Sequence, residues 1–334
     1  MNYIHNIFDF IHIQYNQKQK EKKKVILLGD GFFARGFLHT INHSKFNIIQ
    51  IYRDKFINPQ DIFYNLQRNE IYTDCYHIRD LFQPKITKIQ EDIQTLQINK
   101  NNSIINNKFY FHDYLVIGLG SQKSVKSWSE DINNISNINN LVNPEAYNSK
   151  NIAIVGMGPV GLELGMILNK NHNVDMFDFL NEEKILSFVN PYYKRYILNS
   201  MKDKNMSIHL EQMYNSSNYN HDKVIFCVGN KSNILTKSIQ INDKLQSIDY
   251  NNVYIGGDCV DSMKYIKNAQ CAYQQGVYVA KRLNGTTCDE PFQYISKGIS
   301  LNIDDKQILI QDHKFIPDGI YPDIMIKMYS FLFV

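Results

Sequence analysis

Two glycine-rich segments have the residue types and spacing that bind the pyrophosphate of a dinucleotide. The first runs from Gly29 to Ala34 with the pattern GxGxxA, and the second runs from Gly156 to Gly161 with the pattern GxGxxG. The first glycine makes a tight turn, the second lets the pyrophosphate approach the backbone, and the small third residue lets a helix pack on a strand. The N-terminus of that helix favours the phosphates. The sequence therefore predicts two dinucleotide sites.

An acidic residue at the end of the second strand of each unit is expected to bind the ribose. Asp178 holds this position after the second loop, where a carboxylate accepts hydrogen bonds from the ribose 2′-OH and repels a 2′-phosphate. This predicts NADH rather than NADPH. After the first loop, Tyr52 occupies the corresponding position, and Asp54 lies two residues further along the chain. Asp54 is either a ribose contact or a carboxylate on a surface loop.

A third motif, Gly257-Asp258, follows the apolar residues 253–255. A carboxylate at the end of a buried strand can bind the ribityl hydroxyls of a flavin. A helix predicted to begin near Ala269 can direct its N-terminus at the flavin N1/C2 edge, which gains negative charge when the flavin is reduced. With two dinucleotide loops in one chain, the simplest pair of cofactors is FAD and NAD(H).

These motifs lie on a strand–turn–helix–strand unit that occurs twice, which predicts an α/β fold. We predict two Rossmann-like dinucleotide-binding domains, with the NAD domain inserted into the FAD domain, and a short C-terminal segment. Residues 86–97 are predicted as a strand or hairpin and residues 101–107 as a turn that connects strands. The other predicted elements are strands at 25–28, 46–52, 114–117, 152–155, 174–177, 224–228 and 253–255, and helices at 162–168 and 269–283.

A Ser- and Asn-rich stretch with little periodicity, residues 123–150, marks a domain boundary at its end. The first 22 residues are either a short helix that leads into the first strand or a membrane-surface helix. The predicted divisions are an N-terminal extension at 1–22, the first part of the FAD-binding domain at 23–150, a trimmed NAD(H)-binding domain at 151–232, the second part of the FAD-binding domain at 233–296, and a C-terminal segment at 297–334.

Composition excludes several classes of function. With 36 Lys and Arg against 33 Asp and Glu, the net charge of +3 is too small for a dedicated nucleic-acid binder. The five cysteines are scattered without CxxC spacing, which favours free thiols in a reducing compartment and no redox disulfide. The ten histidines show no metal-ligand spacing, so no metal is predicted. We expect an intracellular protein, cytoplasmic or peripheral to a membrane.

The order of these motifs resembles the type II NADH dehydrogenases, the single-subunit NADH:quinone oxidoreductases among the two-dinucleotide-binding-domain flavoproteins of the pyridine nucleotide-disulfide oxidoreductase superfamily. The helix that begins at Ala269, AQCAYQQGVYVA, is the stretch most specific to that family. The resemblance covers roughly residues 23–300, and the segments that carry it are 29–38, 114–121, 155–165, 269–280 and 291–294.

The resemblance implies a reaction and a set of site residues. NADH would pass hydride to FAD, and a quinone-like acceptor would approach the helix that bears Gln274 and Gln275. Glu163 matches a glutamate near the flavin that couples the two half-reactions. The implied FAD contacts are Gly29, Gly31, Phe32, Phe33, Ala34, Asp54, Gly118, Gly120, Gly257, Asp258, Ala269 and Gln270, and the implied NAD(H) contacts are Gly156, Gly158, Pro159, Val160, Gly161, Asp178 and Gly229.

Simpler roles compete for some of these residues. Gln274 and Gln275 also fit an ordinary polar helix face, and Glu163 fits a carboxylate that the helix dipole favours.

Three departures from the family pattern leave alternatives open. Phe33 replaces a glycine that many members carry, residues 211–223 are too few for the usual β-meander, and the apolar tail at 324–334 contacts a membrane, a second subunit or the protein body. The chain is therefore an NADH:quinone oxidoreductase, another FAD/NAD(P)H reductase that resembles apoptosis-inducing factor or the ferredoxin reductases, or a catalytically degenerate FAD-binding scaffold.

Overall fold

The structure, a computed structural model, forms two compact units. The first lies within 1–55, 83–120 and 233–294, and the second lies within 56–82, 121–232 and 295–334, so the second is inserted into the first along the chain. The residues described are 21–53, 86–123, 135–136, 150–187, 189–204, 206–228, 230–233, 235–260, 265–286, 289–303, 306–311 and 314–316.

The first unit is built on a parallel sheet. Its elements are β1 (Lys23–Leu28), α1 (Phe32–Thr40), β2 (Phe46–Tyr52), β3 (Thr87–Gln90), β4 (Leu96–Ile98), β5 (Asn102–Ile105), β6 (Lys108–Phe111), β7 (Tyr114–Ile117), β15 (Val253–Ile255) and α4 (Ala269–Asn284). Five strands pair in the order β15-β7-β1-β2-β3. Val25 and Leu27 of the central β1 pack with the helices, whereas Ile26 and Leu28 pack on the other face. Burial on both faces explains the continuous apolar run.

A small antiparallel sheet, β4-β5-β6, covers that other face. The prediction of a turn at 101–107 was wrong for most of its length, because β5 begins at Asn102 and buries Ser103 and Ile105. The turn is confined to Asn106 and Asn107, whose φ angles are 46° and 64°. Asparagine tolerates this left-handed conformation better than other non-glycine residues do.

One aromatic ring determines how closely α1 approaches the rest of the first unit. Phe33 is 2% exposed, and its ring lies against Gly118 after β7 and Gly256 after β15. A Cβ atom at either glycine would lie less than 3.0 Å from the ring. Helices α1 and α4 also meet through glycines, since a Cβ at Gly36 or Gly276 would overlap the backbone of the facing helix.

The second unit repeats the parallel arrangement. Its elements are β8 (Ser121–Lys123), β9 (Ile135–Ser136), β10 (Asn151–Val155), α2 (Pro159–Leu168), β11 (Asn173–Asp178), α3 (Pro191–Asp203), β12 (Ser207–Leu210), β13 (Lys223–Phe226), β14 (Asn230–Ser232), β16 (Ile299–Ile303), β17 (Lys306–Gln311) and β18 (Lys314–Ile316). Five strands pair in the order β12-β11-β10-β13-β9, so the α/β prediction with Rossmann-like sheets is confirmed. The first described strand of this unit, β8, lies before the predicted boundary at residue 150 and pairs with β14, and β9 pairs with β13.

The segment between β12 and β13 is too short for a β-meander, and side chains cover this face of the second sheet instead. Residues 211–222 connect β12 to β13 without a strand. The Phe177 ring stacks on His209 with 4.4 Å between centroids, and Tyr214 and Tyr219 meet it edge on. We call these residues, together with His221, the aromatic cluster. It covers the apolar face that Val155 and Phe226 present.

The chain that follows residue 294 contributes to the core of the second unit. Strands β16, β17 and β18 form an antiparallel sheet, and Leu301 and Ile303 of β16 are buried in the same cluster as residues of α2, β10 and β11. The predicted C-terminal segment therefore contributes core residues. The apolar tail at 324–334 lies outside the described residues. Within the described ranges, no helix has both the length and the apolar character needed to span a membrane.

Gly256→Ala tests the glycine contacts of Phe33. The added methyl group overpacks the core, so we expect the free energy of unfolding to fall by about 1–3 kcal/mol in urea denaturation. Phe33→Leu removes the overlapping ring atoms. The double variant should therefore lose less than the sum of the two single losses, by about 1 kcal/mol. Additive losses would show that the ring does not depend on this glycine.

His112 predicts a loss of stability in acid. Burial lowers the pKa of His112, with Lys24 acting in the same direction, while backbone hydrogen bonds and Asp113 oppose the shift. The unfolded chain therefore binds a proton below about pH 6.5 that the folded chain binds only at lower pH, and stability falls as the pH drops through this window. In urea denaturation, the advantage of the wild type over His112→Gln should shrink between about pH 7.5 and about pH 5. An advantage that stays constant over this range would contradict the prediction.

Candidate functional site

The first glycine loop has the backbone geometry of a pyrophosphate cradle. Gly29 has φ 107°, a conformation that side chains rarely adopt, and a Cβ there would overlap the Gly118 carbonyl. Its N–H donates to the Ile51 carbonyl at 2.8 Å, which ties the loop to β2. A Cβ at Gly31 would meet no atom within 4 Å. The second glycine therefore faces open space in front of the N-terminus of α1, as phosphate binding requires.

Gln50, which the sequence analysis missed, supports this loop from below. The side chain is fully buried on β2, and its Nε2 donates to the Gly29 carbonyl at 2.9 Å and to Asp30 Oδ1 at 2.8 Å. Its Oε1 accepts no hydrogen bond from the described residues, so the amide holds the loop through its Nε2 alone. The signal in the sequence was a glutamine among the isoleucines of the strand that begins at Phe46.

The second glycine loop repeats the geometry of the first. Gly156 has φ 105°, and a Cβ at Gly158 would again meet no atom within 4 Å. Gly161 lies so close to the Gly156 carbonyl that only a glycine fits. Pro159 is the first residue of α2, where its missing N–H does not matter, and Val160 follows it, partly exposed.

Asp178 lies at the end of β11 and holds the second loop. It is 7% exposed; its Oδ2 accepts from the Met157 N–H at 2.7 Å, and its Oδ1 accepts from the Leu180 N–H at 2.9 Å. Each carboxylate oxygen has a second lone pair, so a ribose hydroxyl can still donate to it. Asp178 therefore both fixes the loop and places a negative charge beside it.

The Gly257-Asp258 motif forms a single 3₁₀ turn after β15, with Gly257 at φ 75° and Asp258 half-buried. Helix α4 begins at Ala269, as predicted, and Gln270 accepts a hydrogen bond from the Tyr294 hydroxyl at 3.5 Å. Asn268, which the sequence analysis missed, caps the helix by accepting from the Cys271 N–H at 2.7 Å. Asparagine directly before a helix is the usual signal for such a cap.

The three residues predicted to be catalytic lie in different settings. Glu163 is half-buried on α2 in the second unit, and Gln274 is half-buried on α4 in the first. Gln275 is 1% exposed, and its Oε1 accepts from the Gly257 N–H at 2.6 Å. The expectation that Gln275 contacts an acceptor is corrected, because its side chain faces the interior rather than a surface that a ligand can reach.

Some predicted cofactor contacts also change their role. The side chain of Phe33 points into the core, and Gly118 is needed to accommodate its ring. Ala34 is fully buried where α1 packs on the unit, as the pattern requires, and Phe32 packs against the same core. Gly120 has φ 71° and faces open space. Asp54 and Gly229 lie outside the described residues.

Thiol chemistry is disfavoured at the described cysteines near the flavin motif. Cys227, Cys259 and Cys271 are free thiols. Burial, aided by the charge of Asp258, raises the pKa of both Cys259 and Cys271 to about 11. A protonated, buried thiol is a poor nucleophile, so thiol–disulfide exchange is disfavoured at Cys259 and Cys271.

Comparisons with known proteins agree with this geometry. A Dictyostelium discoideum protein described as a probable NADH dehydrogenase is 23% identical over 352 residues, covering 82% of this chain and 76% of that protein. NDH2 of Plasmodium falciparum, solved in complex with NADH, has a TM-score of 0.70 at 14% identity and covers 94% of this chain and 95% of its own. CoADR-RHD of Bacillus anthracis has a TM-score of 0.66 at 16% identity, over 86% of this chain but 61% of that one.

The sequence profile of one family spans most of the chain. The profile described as pyridine nucleotide-disulphide oxidoreductase matches residues 23–276, which include both glycine loops and the first two turns of α4. Its members are flavoproteins that use FAD and NAD(P)H. The chain belongs to the pyridine nucleotide-disulphide oxidoreductase family.

Proposed function

We propose that the protein is an FAD-dependent NADH dehydrogenase that passes electrons to a quinone-like acceptor. The observation that carries this proposal is the duplicated loop. Gly29 and Gly156 have φ angles of 107° and 105°, and Gly31 and Gly158 both face open space. Two preserved pyrophosphate cradles in one chain are what a donor nucleotide and a flavin nucleotide require.

The residues of the first unit fit FAD. The loop from Gly29 to Gly31 and the N-terminus of α1 would hold the pyrophosphate, Asp258 would bind ribityl hydroxyls, and the capped N-terminus of α4 would face the edge that gains negative charge. When bound, FAD takes hydride from NADH and delivers the electrons to an acceptor. The protein contributes binding, orientation and the dipole of α4.

The residues of the second unit fit NADH. The loop that begins at Gly156 would bind the pyrophosphate, and the carboxylate of Asp178 would accept from the ribose 2′-OH and repel a 2′-phosphate. The relatives named as a probable NADH dehydrogenase and as NDH2 with NADH support this donor. The quinone-like acceptor rests on the family resemblance of α4 and on the partly accessible Gln274.

The alternative of a degenerate scaffold loses its main support. It was motivated by the bulky Phe33 in the flavin loop, yet that ring lies in the core and leaves the space at Gly31 open. The missing meander, its second motive, leaves the second loop with the same geometry as the first. A different acceptor, such as a one-electron protein carrier, stays open to experiment.

An anaerobic titration of the purified protein with NADH tests the proposal. The protein should be yellow, and the flavin band near 450 nm should disappear on mixing with NADH. Short-chain quinones should then restore it faster than a one-electron protein carrier does. A yellow protein that NADH does not bleach would contradict the dehydrogenase, and a colourless protein that cannot be reconstituted with FAD would contradict the flavin.

Asp178→Ala tests the choice of donor. It removes a charged acceptor from the ribose, so we expect the KM for NADH to rise about tenfold, as the loss of a bond of about 1.5 kcal/mol implies. The preference for NADH over NADPH should shrink, because the repulsion of the 2′-phosphate is lost. Steady-state kinetics with both donors measure the change.

The FAD content is the internal control, because Asp178 lies in the second unit and the flavin motif in the first. An unchanged ratio of kcat/KM for the two donors, with FAD retained, would show that Asp178 serves only to hold the loop.

A further inference from the structure

Gln275 is a buried polar side chain whose partner is a backbone group of the flavin motif. Its Oε1 accepts from the Gly257 N–H at 2.6 Å, and the residue is 1% exposed. Buried amides are retained where their hydrogen bonds are made, because an unmade bond destabilises the fold. The bond crosses from the second turn of α4 to the turn after β15, so it joins two elements that are adjacent in space but separated along the chain.

The bonded N–H begins the turn that carries Asp258. Gly257 has φ 75° and lies against Phe33, with 3.3 Å between the Phe33 Cβ and the position a Cβ would take. The turn therefore contacts both the Phe33 side chain and the Gln275 amide. The Thr236 hydroxyl holds the end of the turn by donating to the Cys259 carbonyl at 2.8 Å, and Gln275 holds its start.

The neighbouring glutamine provides an internal contrast. Successive residues of an α-helix point about 100° apart, so Gln274 and Gln275 cannot share one environment. Gln275 is buried against the Gly257 turn, whereas Gln274 is half-buried on the adjacent strip of α4. Of the two, only Gln274 has a surface that an acceptor could contact.

We infer that Gln275 is a positioning residue of the flavin site, which holds the Asp258 turn and the N-terminus of α4 in a fixed relation to each other. The inference rests on the proposed binding of FAD and goes beyond it. A carboxylate for the ribityl hydroxyls and a helix dipole for the flavin edge act together only if their spacing is fixed. The Gln275 bond supplies that spacing, and Gln275 does not contact the acceptor.

Gln275→Met tests the inference, because methionine has a similar length and volume but lacks a strong acceptor. Flavin fluorescence on titration with FAD measures the dissociation constant, and the spectrum and reduction potential of the bound flavin report its surroundings. We expect the affinity for FAD to fall about tenfold, equivalent to about 1.4 kcal/mol, and the potential to shift. The KM for a short-chain quinone should stay at the wild-type value. Gln274→Met is the matched comparison and should keep the wild-type affinity for FAD.

Gln275→Glu separates a lost hydrogen bond from a general loss of folding, because it keeps an oxygen acceptor on a side chain of the same length. Burial raises the pKa of a carboxyl group, so at about pH 5 to 6 the new side chain is protonated and adds no buried charge. Under these conditions the variant should retain most of the affinity for FAD even if Gln275→Met fails to fold. Wild-type FAD affinity and potential in Gln275→Met, or a raised quinone KM as the sole effect, would overturn the inference and leave the proposed function intact. A wild-type protein that binds no FAD would overturn both.

Discussion

The Phe33 ring, held between Gly118 and Gly256, is the contact on which the first unit depends. It joins the start of α1 to the ends of β7 and β15, so the three segments that carry the flavin motifs share one packed element. Protein interiors are close-packed, and a ring without free volume around it cannot shift without moving its neighbours. The pyrophosphate loop and the Asp258 turn are therefore held at a distance that one side chain sets.

The two units reach the same loop conformation with different supports. A neutral amide, Gln50, supports the first loop, and its Nε2 donates a hydrogen bond to Asp30 Oδ1. A carboxylate, Asp178, supports the second loop by accepting a hydrogen bond from the Met157 N–H. The first support adds no charge of its own. The second adds a negative charge at the position where, in the proposed complex with NADH, a single phosphate would distinguish the two nicotinamide nucleotides.

The sequence predicts what depends on short-range pattern and misses what depends on distant partners. The strand at 46–52 and the starts of the glycine loops follow from neighbouring residues, and they were predicted correctly. The direction of the Phe33 ring depends on glycines that are far away along the chain, so the sequence left its effect on the flavin loop open. Gln275 was misassigned for the same reason, since its partner lies at Gly257. The strand β5 was hidden by the asparagines in and around it, Asn101, Asn102, Asn106 and Asn107, which also suit turns.

The return of β16 to the second unit has a consequence for how the protein is made. Leu301 and Ile303 complete a core whose other buried residues lie at 152–225. The core of the first unit likewise includes residues of α4, which are synthesised late. A nascent chain normally folds its N-terminal domain first while the rest is synthesised. Here neither unit can close its core until the C-terminal third has left the ribosome. Both apolar faces therefore stay incompletely covered until α4 and β16 have been synthesised.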